Sequence, residues 1–377
     1  MQRNPVPFNR PSLAGAEFEY MKAAIDAMQI SGNGPFGRRC EQALEAAIGA
    51  PKALLTTSCT HAIEMAAMLL DLQPGDEVIV PAFTFVTTVT PFVLRGATPV
   101  FVDVRPDTLN LDERLVAAAI TPRTRAIVPV HYAGVGCEMD ALLDIARTHG
   151  LRVIEDNAHG LFGAYKGRPL GSLGAASTLS FHETKNFTCG EGGALVINEP
   201  AWIERAEILR EKGTDRSRFF RGQVDKYTWV DIGSSYVPSE ILAAFLLAQL
   251  EARDAIQATR ARLWHTYNDA LAGWCESSGV RRPFIPAHCD QSFHMFYLLF
   301  PSLEDRQWAI VQLKAHGVQA VFHYQALHLS DMGQKFGGRP GQCPVTEGLA
   351  DRLLRLPFYN ALTADQQAHV IEAVQAC

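Results

Sequence analysis

The sequence predicts an α/β protein with a large, mostly parallel sheet and a smaller C-terminal α+β domain. Short apolar segments alternate with amphipathic ones between residues 53 and 156, which is the βαβ rhythm of a parallel sheet covered by helices. Small or polar residues follow several apolar segments, at the places where the strands would end. Ligands of such folds bind at the carboxyl ends of the strands, so these residues are candidates for one shared site.

The first part of the chain supplies the predicted sheet and the helices that cover it. Apolar spacing predicts helices over residues 17–28, 38–48, 62–70, within 83–94, 113–119 and 139–149. Strands are predicted at 53–56, 77–81, 98–103, 125–132 and 151–156. An apolar run over 174–181 leads into a further strand end, and another strand follows at 194–197.

The rest of the chain is predicted to finish the large domain and to build a small one. Helices are expected at 202–212 and 239–253, separated by a polar stretch at 216–227 and a loop at 230–236. A helical stretch at 255–272 leads to strands near 293–300 and 318–324 and helices at 303–316, 346–355 and 364–376. We therefore predict a large domain over residues 1–254 and a small domain over 255–377.

Composition excludes several classes of function. The chain has 377 residues, of which 47% are hydrophobic and 20% charged, and a net charge of -6. That charge argues against nucleic acid as a partner, because phosphate binding needs a basic face. The first residues lack the apolar core of a signal peptide, and no helix candidate is long enough to span a bilayer. We expect a cytoplasmic enzyme that does not associate with membranes.

The eight cysteines carry no metal or disulfide pattern. None of them forms a C-x-x-C pair, which argues against a zinc site and against a disulfide framework. We expect free thiols, mostly buried, and no metal site.

Lys185 is the leading candidate for a catalytic residue. It sits just past the predicted strand end at Ser180, and glycines follow it at 190, 192 and 193. Desolvation at such a position favours the neutral amine, which can form a Schiff base. The alternative is a solvated lysine in a loop beside a tight turn.

Three other strand ends carry candidate ligands. The small hydroxyl residues before Thr60 and His61 would either cap the following helix or bind a phosphate at its N-terminus. Asp156 would either cap a helix or pair with a cationic group, such as a protonated heterocyclic nitrogen. Phe85 would either belong to the core or stack on a flat ring. His323 and His328 belong to a polar-aromatic cluster that either faces the cleft or is structural.

Taken together, these segments resemble the DegT/DnrJ/EryC1/StrS sugar aminotransferases, which use pyridoxal 5′-phosphate. The resemblance extends along nearly the whole chain and is carried by residues 57–61, 81–85, 153–159, 180–193 and 323–328. Its most specific parts are SFHETKN at 180–186 and DIGSSY at 231–236. It implies the fold of aspartate aminotransferase (fold type I), with a large α/β domain and a small C-terminal domain.

The resemblance implies a role for each matched residue. Lys185 would hold the cofactor as a Schiff base and then carry protons, and Asp156 would keep the ring nitrogen protonated. Phe85 would stack on the ring, while His159 stands where relatives often have a glutamine that contacts the phenolic oxygen. The phosphate contacts fall on the Thr60 side chain, the His61 backbone and the Ser180 hydroxyl.

The loop at 233–236 departs from the family pattern. Many relatives have Gly-Tyr-Asn-Tyr there, and the asparagine reaches the phosphate in the neighbouring subunit. Ser235 stands at that position here, with a shorter side chain. Tyr324 and His328 match a pair near the sugar. The resemblance thus implies a homodimer with shared sites.

The implied reaction moves an amino group from L-glutamate to C4 of a nucleotide-linked 4-keto-6-deoxyhexose. Two alternatives remain: a different nucleotide ketosugar or position, and a non-catalytic regulator that binds the cofactor. Relatives that dehydrate sugars have a histidine where Lys185 stands, which argues against dehydration.

Overall fold

The computed structural model describes residues 5–377, which are built around a seven-stranded sheet. The strands of this part of the chain are β1 (Lys52–Thr56), β2 (Glu77–Pro81), β3 (Thr98–Val102), β4 (Thr124–Ile127), β5 (Arg152–Asp156), β6 (Ala164–Tyr165), β7 (Arg168–Pro169), β8 (Ala176–Ser180) and β9 (Gly193–Ile197). The order in the main sheet is β1-β9-β8-β5-β4-β2-β3. Only β9 runs antiparallel to its neighbours, so the predicted mostly parallel sheet is confirmed.

Helices cover both faces of this sheet. They are α1 (Glu17–Asp26), α2 (Pro35–Ile48), α3 (Cys59–Leu69), α4 (Thr90–Leu94), α5 (Glu113–Val116), α6 (Met139–His149), α7 (Ile203–Arg210), α8 (Arg216–Phe220) and α9 (Glu240–Glu251). Alternate residues of β1 enter different cores: Leu54 packs with α3, whereas Ala53 and Leu55 pack with α2 and α9. Burial on both faces explains why the strands read as short, continuous apolar runs.

The C-terminal part forms a second, smaller layer. Its elements are α10 (Arg253–Ala270), α11 (Ala272–Ser278), β10 (Cys289–Asp290), β11 (Tyr297–Leu299), α12 (Leu303–Ala315), β12 (Val321–Phe322), α13 (Asp331–Lys335), α14 (Pro344–Arg352), β13 (Leu353–Arg355) and α15 (Ala364–Gln375). The antiparallel sheet β11-β13-β12 packs with α10, α12 and α15 in one apolar core. The α+β character is confirmed, while the predicted domain boundary after residue 254 stays a prediction.

One predicted element is wrong in part. The sequence predicts one helix over 346–355, but α14 ends at Arg352 and the next three residues form the central strand of the C-terminal sheet. Each residue of β13 pairs with β11, and two of them also pair with β12. These long-range backbone pairings outweigh the local preference of leucine for helix.

In the part of the chain that the structure describes, no helix combines the length and the apolar character needed to cross a membrane. The main sheet serves as the frame for what lies at its carboxyl edge, where β1, β5 and β8 end in Thr56, Asp156 and Ser180.

Candidate active site

A cavity of about 1010 Å³ opens at the carboxyl edge of the main sheet. It is bounded by the first turn of α3, the segment after β2, the ends of β5 and β8, and residues of β12 and β13. The site residues predicted from the sequence that line it are Thr60, Phe85, Asp156, His159, Ser180, Lys185, His323 and Tyr324. The strands thus bring segments from distant parts of the chain to one place.

Lys185 lies in the connection between β8 and β9. Phe181 and Phe187, both buried, hold this connection on the apolar core beneath the sheet. The Lys185 amide donates to the His182 carbonyl at 2.9 Å and closes a turn. Burial lowers the pKa of the amine from 10.5 to about 8; Asp156 opposes this shift and the positive charge of Arg355 adds to it. About a tenth of the Lys185 amine is then neutral and nucleophilic at pH 7, compared with about 0.03% for an unperturbed lysine.

Asp156 ends β5 and exposes only 6% of its surface. Its Oδ2 accepts a hydrogen bond from the Thr88 hydroxyl at 2.7 Å, and its Oδ1 accepts from the Ala158 amide at 3.1 Å. The Thr84 hydroxyl lies 2.7 Å from that of Thr88 and extends the chain of hydrogen bonds. Both partners of the carboxylate are neutral, so its charge remains available to a cationic group of a ligand.

Glu155, the preceding residue, points to the other side of β5. It accepts hydrogen bonds from the amides of Gly171 at 2.9 Å, Leu173 at 2.8 Å and Gly174 at 2.7 Å, and lies 2.8 Å from His131 Nε2. Burial raises the pKa of this carboxyl, but His131 and the glycine amides outweigh burial and hold the pKa below its ordinary value. Glu155 therefore fixes the loop at 171–174 and the strand that carries Asp156.

The first turn of α3 offers a place for an anion. Ser58 caps the helix by accepting the His61 amide at 3.1 Å, while Thr60 and Ser180 line the cavity. The positive end of a helix dipole favours a phosphate there. Ser58 therefore makes the helix cap and also lines the cavity, while Thr60 remains the candidate for a phosphate contact.

His61 does not line the cavity. Its ring bonds the Thr57 hydroxyl, and its amide is occupied by the Ser58 cap. Because the His61 amide already donates to Ser58, it is not free in this structure to make the predicted contact with a phosphate.

Three buried histidines form the inner wall. His159 stacks on His294 with ring centroids 4.1 Å apart, and His294 Nδ1 lies 2.9 Å from Asn186 Oδ1. His323 Nδ1 lies 2.7 Å from the Tyr132 hydroxyl. Burial lowers the pKa of each of the three well below its usual value, so all are neutral near pH 7. His159 Nδ1 is buried without a hydrogen-bond partner among residues 5–377, which leaves it available to a ligand.

Phe85 and Tyr324 supply aromatic surface at the mouth. Tyr324 stacks on His323 with centroids 3.6 Å apart, and Phe85 lies 6.1 Å from Tyr324. Phe85 exposes 53% of its surface and is not a core residue. Its ring is therefore accessible to a flat ligand, and the stacking of Phe85 on the cofactor ring stays a prediction.

Two further predicted residues, besides His61, lie outside the cavity wall. His328 is fully buried, outside the cavity wall, with its Nε2 3.0 Å from Glu347 Oε1, so its position does not support the expected contact with a sugar. Ser235 is exposed on a surface strand segment bridged to Glu211 and does not line the cavity of its own chain. Its contact with a neighbouring subunit stays a prediction.

Sequence reasoning missed several residues of the wall. Thr88 lies in the segment after β2, and the only signal for it was a hydroxyl residue near a strand end. His294 and Arg355 lie in the C-terminal layer, where each is a polar residue embedded in an apolar run. This pattern could have identified both residues, because polar and charged side chains are rarely buried unless they have a partner.

The arrangement fits pyridoxal phosphate. Lys185 offers an amine of lowered pKa for the aldehyde, and Asp156 offers a carboxylate with neutral partners for the ring nitrogen. Thr60 and Ser180 flank the helix end that suits the phosphate, and the unpaired His159 nitrogen is free for a polar group of the ring.

Known proteins resemble this chain over nearly its whole length. The spore coat polysaccharide biosynthesis protein SpsC of Bacillus subtilis (strain 168) is 32% identical, covering 98% of this chain and 96% of its own. The putative sugar aminotransferase Spr1654 from Streptococcus pneumoniae, solved in a PMP form, has a TM-score of 0.91 at 27% identity and 98% coverage of both chains.

A third similar protein is DesV of S. venezuelae, solved in complex with a ketimine intermediate. It has a TM-score of 0.89 at 32% identity, covering 99% of this chain and 98% of its own. Spr1654 has also been solved in a PLP form, with a TM-score of 0.90 at 27% identity, covering 99% of this chain and 98% of its own.

The family comparison agrees with the geometry of the site. The sequence profile of the DegT/DnrJ/EryC1/StrS aminotransferase family matches residues 11–375. The expected fold type I architecture and the expected cofactor are both confirmed. The chain belongs to the DegT/DnrJ/EryC1/StrS aminotransferase family, and its cofactor is pyridoxal 5′-phosphate.

Proposed function

We propose that this aminotransferase moves the amino group of L-glutamate to C4 of a nucleotide-linked 4-keto-6-deoxyhexose. The proposed acceptor is dTDP-4-keto-6-deoxy-D-glucose, and the products are dTDP-4-amino-4,6-dideoxy-D-galactose and 2-oxoglutarate, for surface polysaccharide synthesis. The observation that carries the amino transfer is the meeting of Lys185 and Asp156 in one cavity. The sugar class is supported by relatives described as a putative sugar aminotransferase and a polysaccharide biosynthesis protein.

Lys185 and Asp156 have different roles in the proposed reaction. When bound, pyridoxal phosphate supplies an electron sink that acidifies the Cα–H of an attached amino acid. Asp156 would keep the ring nitrogen protonated, because its buried carboxylate stabilises a neighbouring cation. With the cofactor bound, the free Lys185 amine would take the proton from the donor Cα and hold it for transfer to C4′. With a pKa of about 8, this amine can act as base and then, as ammonium, as acid.

The same residues serve the second half of the reaction in reverse. Lys185 would take up a proton from C4′ and deliver it to C4 of the sugar. The face of the sugar from which Lys185 delivers this proton would set the stereochemistry of the new amine. In this proposal Phe85 stacks on the cofactor ring, and the neighbouring Tyr324 offers an aromatic surface to the sugar. The neutral histidines of the inner wall offer hydrogen bonds without adding charge.

A homodimer is part of the proposal. Ser235 is exposed, and the preceding segment exposes Trp229 by 77%, Val230 by 50% and Ile232 by 39%. Clustered exposed apolar side chains of this kind favour a protein interface. We also place the enzyme in the cytoplasm, which is supported by eight free cysteines, because thiols persist in reducing compartments.

Absorbance spectroscopy of the purified holoenzyme tests the proposal. L-glutamate should remove the visible band of the lysine-bound cofactor, and dTDP-4-keto-6-deoxyglucose should restore it. The variant Lys185→Ala should lack both the band and turnover, whereas Lys314→Ala, at an exposed lysine of α12, should behave as wild type. Full activity of Lys185→Ala would end the proposal.

The outcome also separates the alternatives. A band that glutamate removes but this sugar cannot restore would retain the transaminase and redirect the search to another ketosugar, another ring position or the 4-epimeric product. A stable band that no amino acid changes would favour a non-catalytic regulator.

A further inference from the structure

Arg355 places a guanidinium group in the wall of the cavity. It ends β13, where its backbone pairs with Tyr297 of β11 and Val321 of β12. Its Nη2 donates to the Phe322 carbonyl at 3.2 Å, and the guanidinium lies over the Phe8 ring, 4.7 Å from the centroid. An aromatic face and a backbone carbonyl fix the orientation of the group without neutralising its charge.

The described protein supplies no carboxylate for this charge. Lys185 and Arg355 are the only lysine or arginine residues among those lining the cavity within residues 5–377, and the acidic ones are Asp156 and Glu191. Glu191 lies 3.7 Å from His182 and is exposed, and Asp156 is bonded to neutral groups of its own segment. Arg355 Nε is buried and has no hydrogen-bond partner among the described residues. A ligand anion would satisfy both the charge and the unpaired donor.

The positive charge of Arg355 acts on the amine of Lys185, the reacting group. Its electrostatic effect lowers the pKa of the Lys185 amine. The α-carboxylate of an amino acid is one bond from the carbon that loses its proton, whereas the diphosphate of a sugar nucleotide is separated from C4 by the sugar ring. A cation in the wall of the same cavity as Lys185 therefore suits the amino donor better than the nucleotide.

We propose that Arg355 binds a carboxylate of the amino donor and so determines specificity for that substrate. This inference rests on the proposed amino-transfer function and adds to it the residue that recognises the donor. The planar guanidinium matches a carboxylate with two parallel hydrogen bonds, a geometry that lysine cannot reproduce. L-glutamate carries an α-carboxylate and a side-chain carboxylate, whereas L-glutamine carries only the α-carboxylate, so the two amino acids distinguish the two positions.

The two half-reactions of the holoenzyme test the proposal separately. Arg355→Met should raise the concentration of L-glutamate needed for half-maximal loss of the cofactor band by at least about tenfold, the loss expected for a charge-assisted hydrogen bond. The concentration dependence for the ketosugar, measured from the amine form of the cofactor, should change by less than about twofold. Arg352→Met is the matched control, because Arg352 bonds the Gly348 carbonyl and does not line the cavity.

The donor series identifies the carboxylate. An equal loss with L-glutamate and L-glutamine would assign the α-carboxylate, and a loss with L-glutamate alone would assign the side-chain carboxylate. A loss confined to the ketosugar, or no change with either substrate, would overturn the proposal. Thermal unfolding and the cofactor band check that Arg355→Met is folded, and Arg355→Gln replaces it if it is not.

Equilibrium binding separates this inference from the proposed function. Glutarate carries two carboxylates and no amine, so calorimetry can measure its binding to the holoenzyme without reaction. Weaker binding of glutarate to Arg355→Met would support the inference even if no ketosugar is converted. Unchanged glutarate binding in an enzyme that aminates sugars would overturn the inference and leave the function standing.

Discussion

In the apoenzyme, Lys185 should react with pyridoxal phosphate with a pH dependence centred near 8. Only the neutral amine attacks an aldehyde, and burial lowers the pKa of this amine from 10.5 to about 8. At pH 8 about half of the Lys185 amine is then neutral, compared with about 0.3% for an unperturbed lysine. The expected advantage at that pH is about 150-fold in reactive amine.

Trace acetylation of the apoenzyme measures this pKa without the cofactor. The yield of the acetylated Lys185 peptide, normalised to free Nα-acetyl-lysine, should rise with pH and reach half of its plateau near pH 8. A midpoint close to that of the free amine would refute the argument from burial. Arg355→Met should move the midpoint upward, because the charge of Arg355 lowers the pKa of Lys185.

Three further substitutions have defined consequences. Asp156→Asn should slow both half-reactions by about 100-fold or more in single-turnover absorbance, since it removes the charge that stabilises the protonated ring nitrogen. Glu155→Gln should lower the free energy of unfolding by about 3 kcal/mol in urea, because it disrupts a buried network of hydrogen bonds. The folded pKa of Glu155 lies below the unfolded value of about 4.3, so the stabilisation that it adds is complete above that pH and is lost as pH falls through the folded pKa. Leu54→Ala, at a fully buried position, should cost about 3 kcal/mol in the same urea assay and leave the substrate dependence unchanged.

Each of these expectations has a contradicting result. Asp156→Asn with wild-type rates would mean that the ring nitrogen needs no anionic partner. Glu155→Gln with unchanged stability at neutral pH, or with an unchanged loss of stability on acidification, would mean that the carboxylate charge contributes nothing to the loop at 171–174. A shift in substrate dependence for Leu54→Ala would show that the core and the site are coupled.

Local sequence patterns were sufficient to predict most strands of the main sheet. The predicted strand at 77–81 and the predicted helix at 139–149 coincide with β2 and α6. Both are bounded by strong local signals, such as Gly150 in the left-handed conformation at the end of α6. The strand β13 was missed because its pairing partners, β11 and β12, lie far away in sequence and no local pattern records them.

The residues of the candidate site also differ in whether a local sequence pattern predicts them. Lys185 and Asp156 could be predicted because each follows a recognisable strand, and the fold collects strand ends at one edge. Arg355 and His294 could not, since they reach the cavity from the C-terminal layer, whose placement depends on tertiary packing. His328 lies close to Tyr324 in sequence, yet a short turn buries it against Glu347 instead.

The alternation of Glu155 and Asp156 on β5 limits how this strand can change. Adjacent residues of a strand face opposite sides, so inserting or deleting one residue within β5 would exchange the two carboxylates. The cavity would then receive the group that anchors the loop at 171–174, and the loop would lose its acceptor. A shift of two residues would preserve the sides but displace the carboxylate by about 6.6 Å along the strand. The length of β5 is therefore constrained by both the scaffold and the chemistry, and attempts to transplant this site into other sheets must carry the pair as a unit.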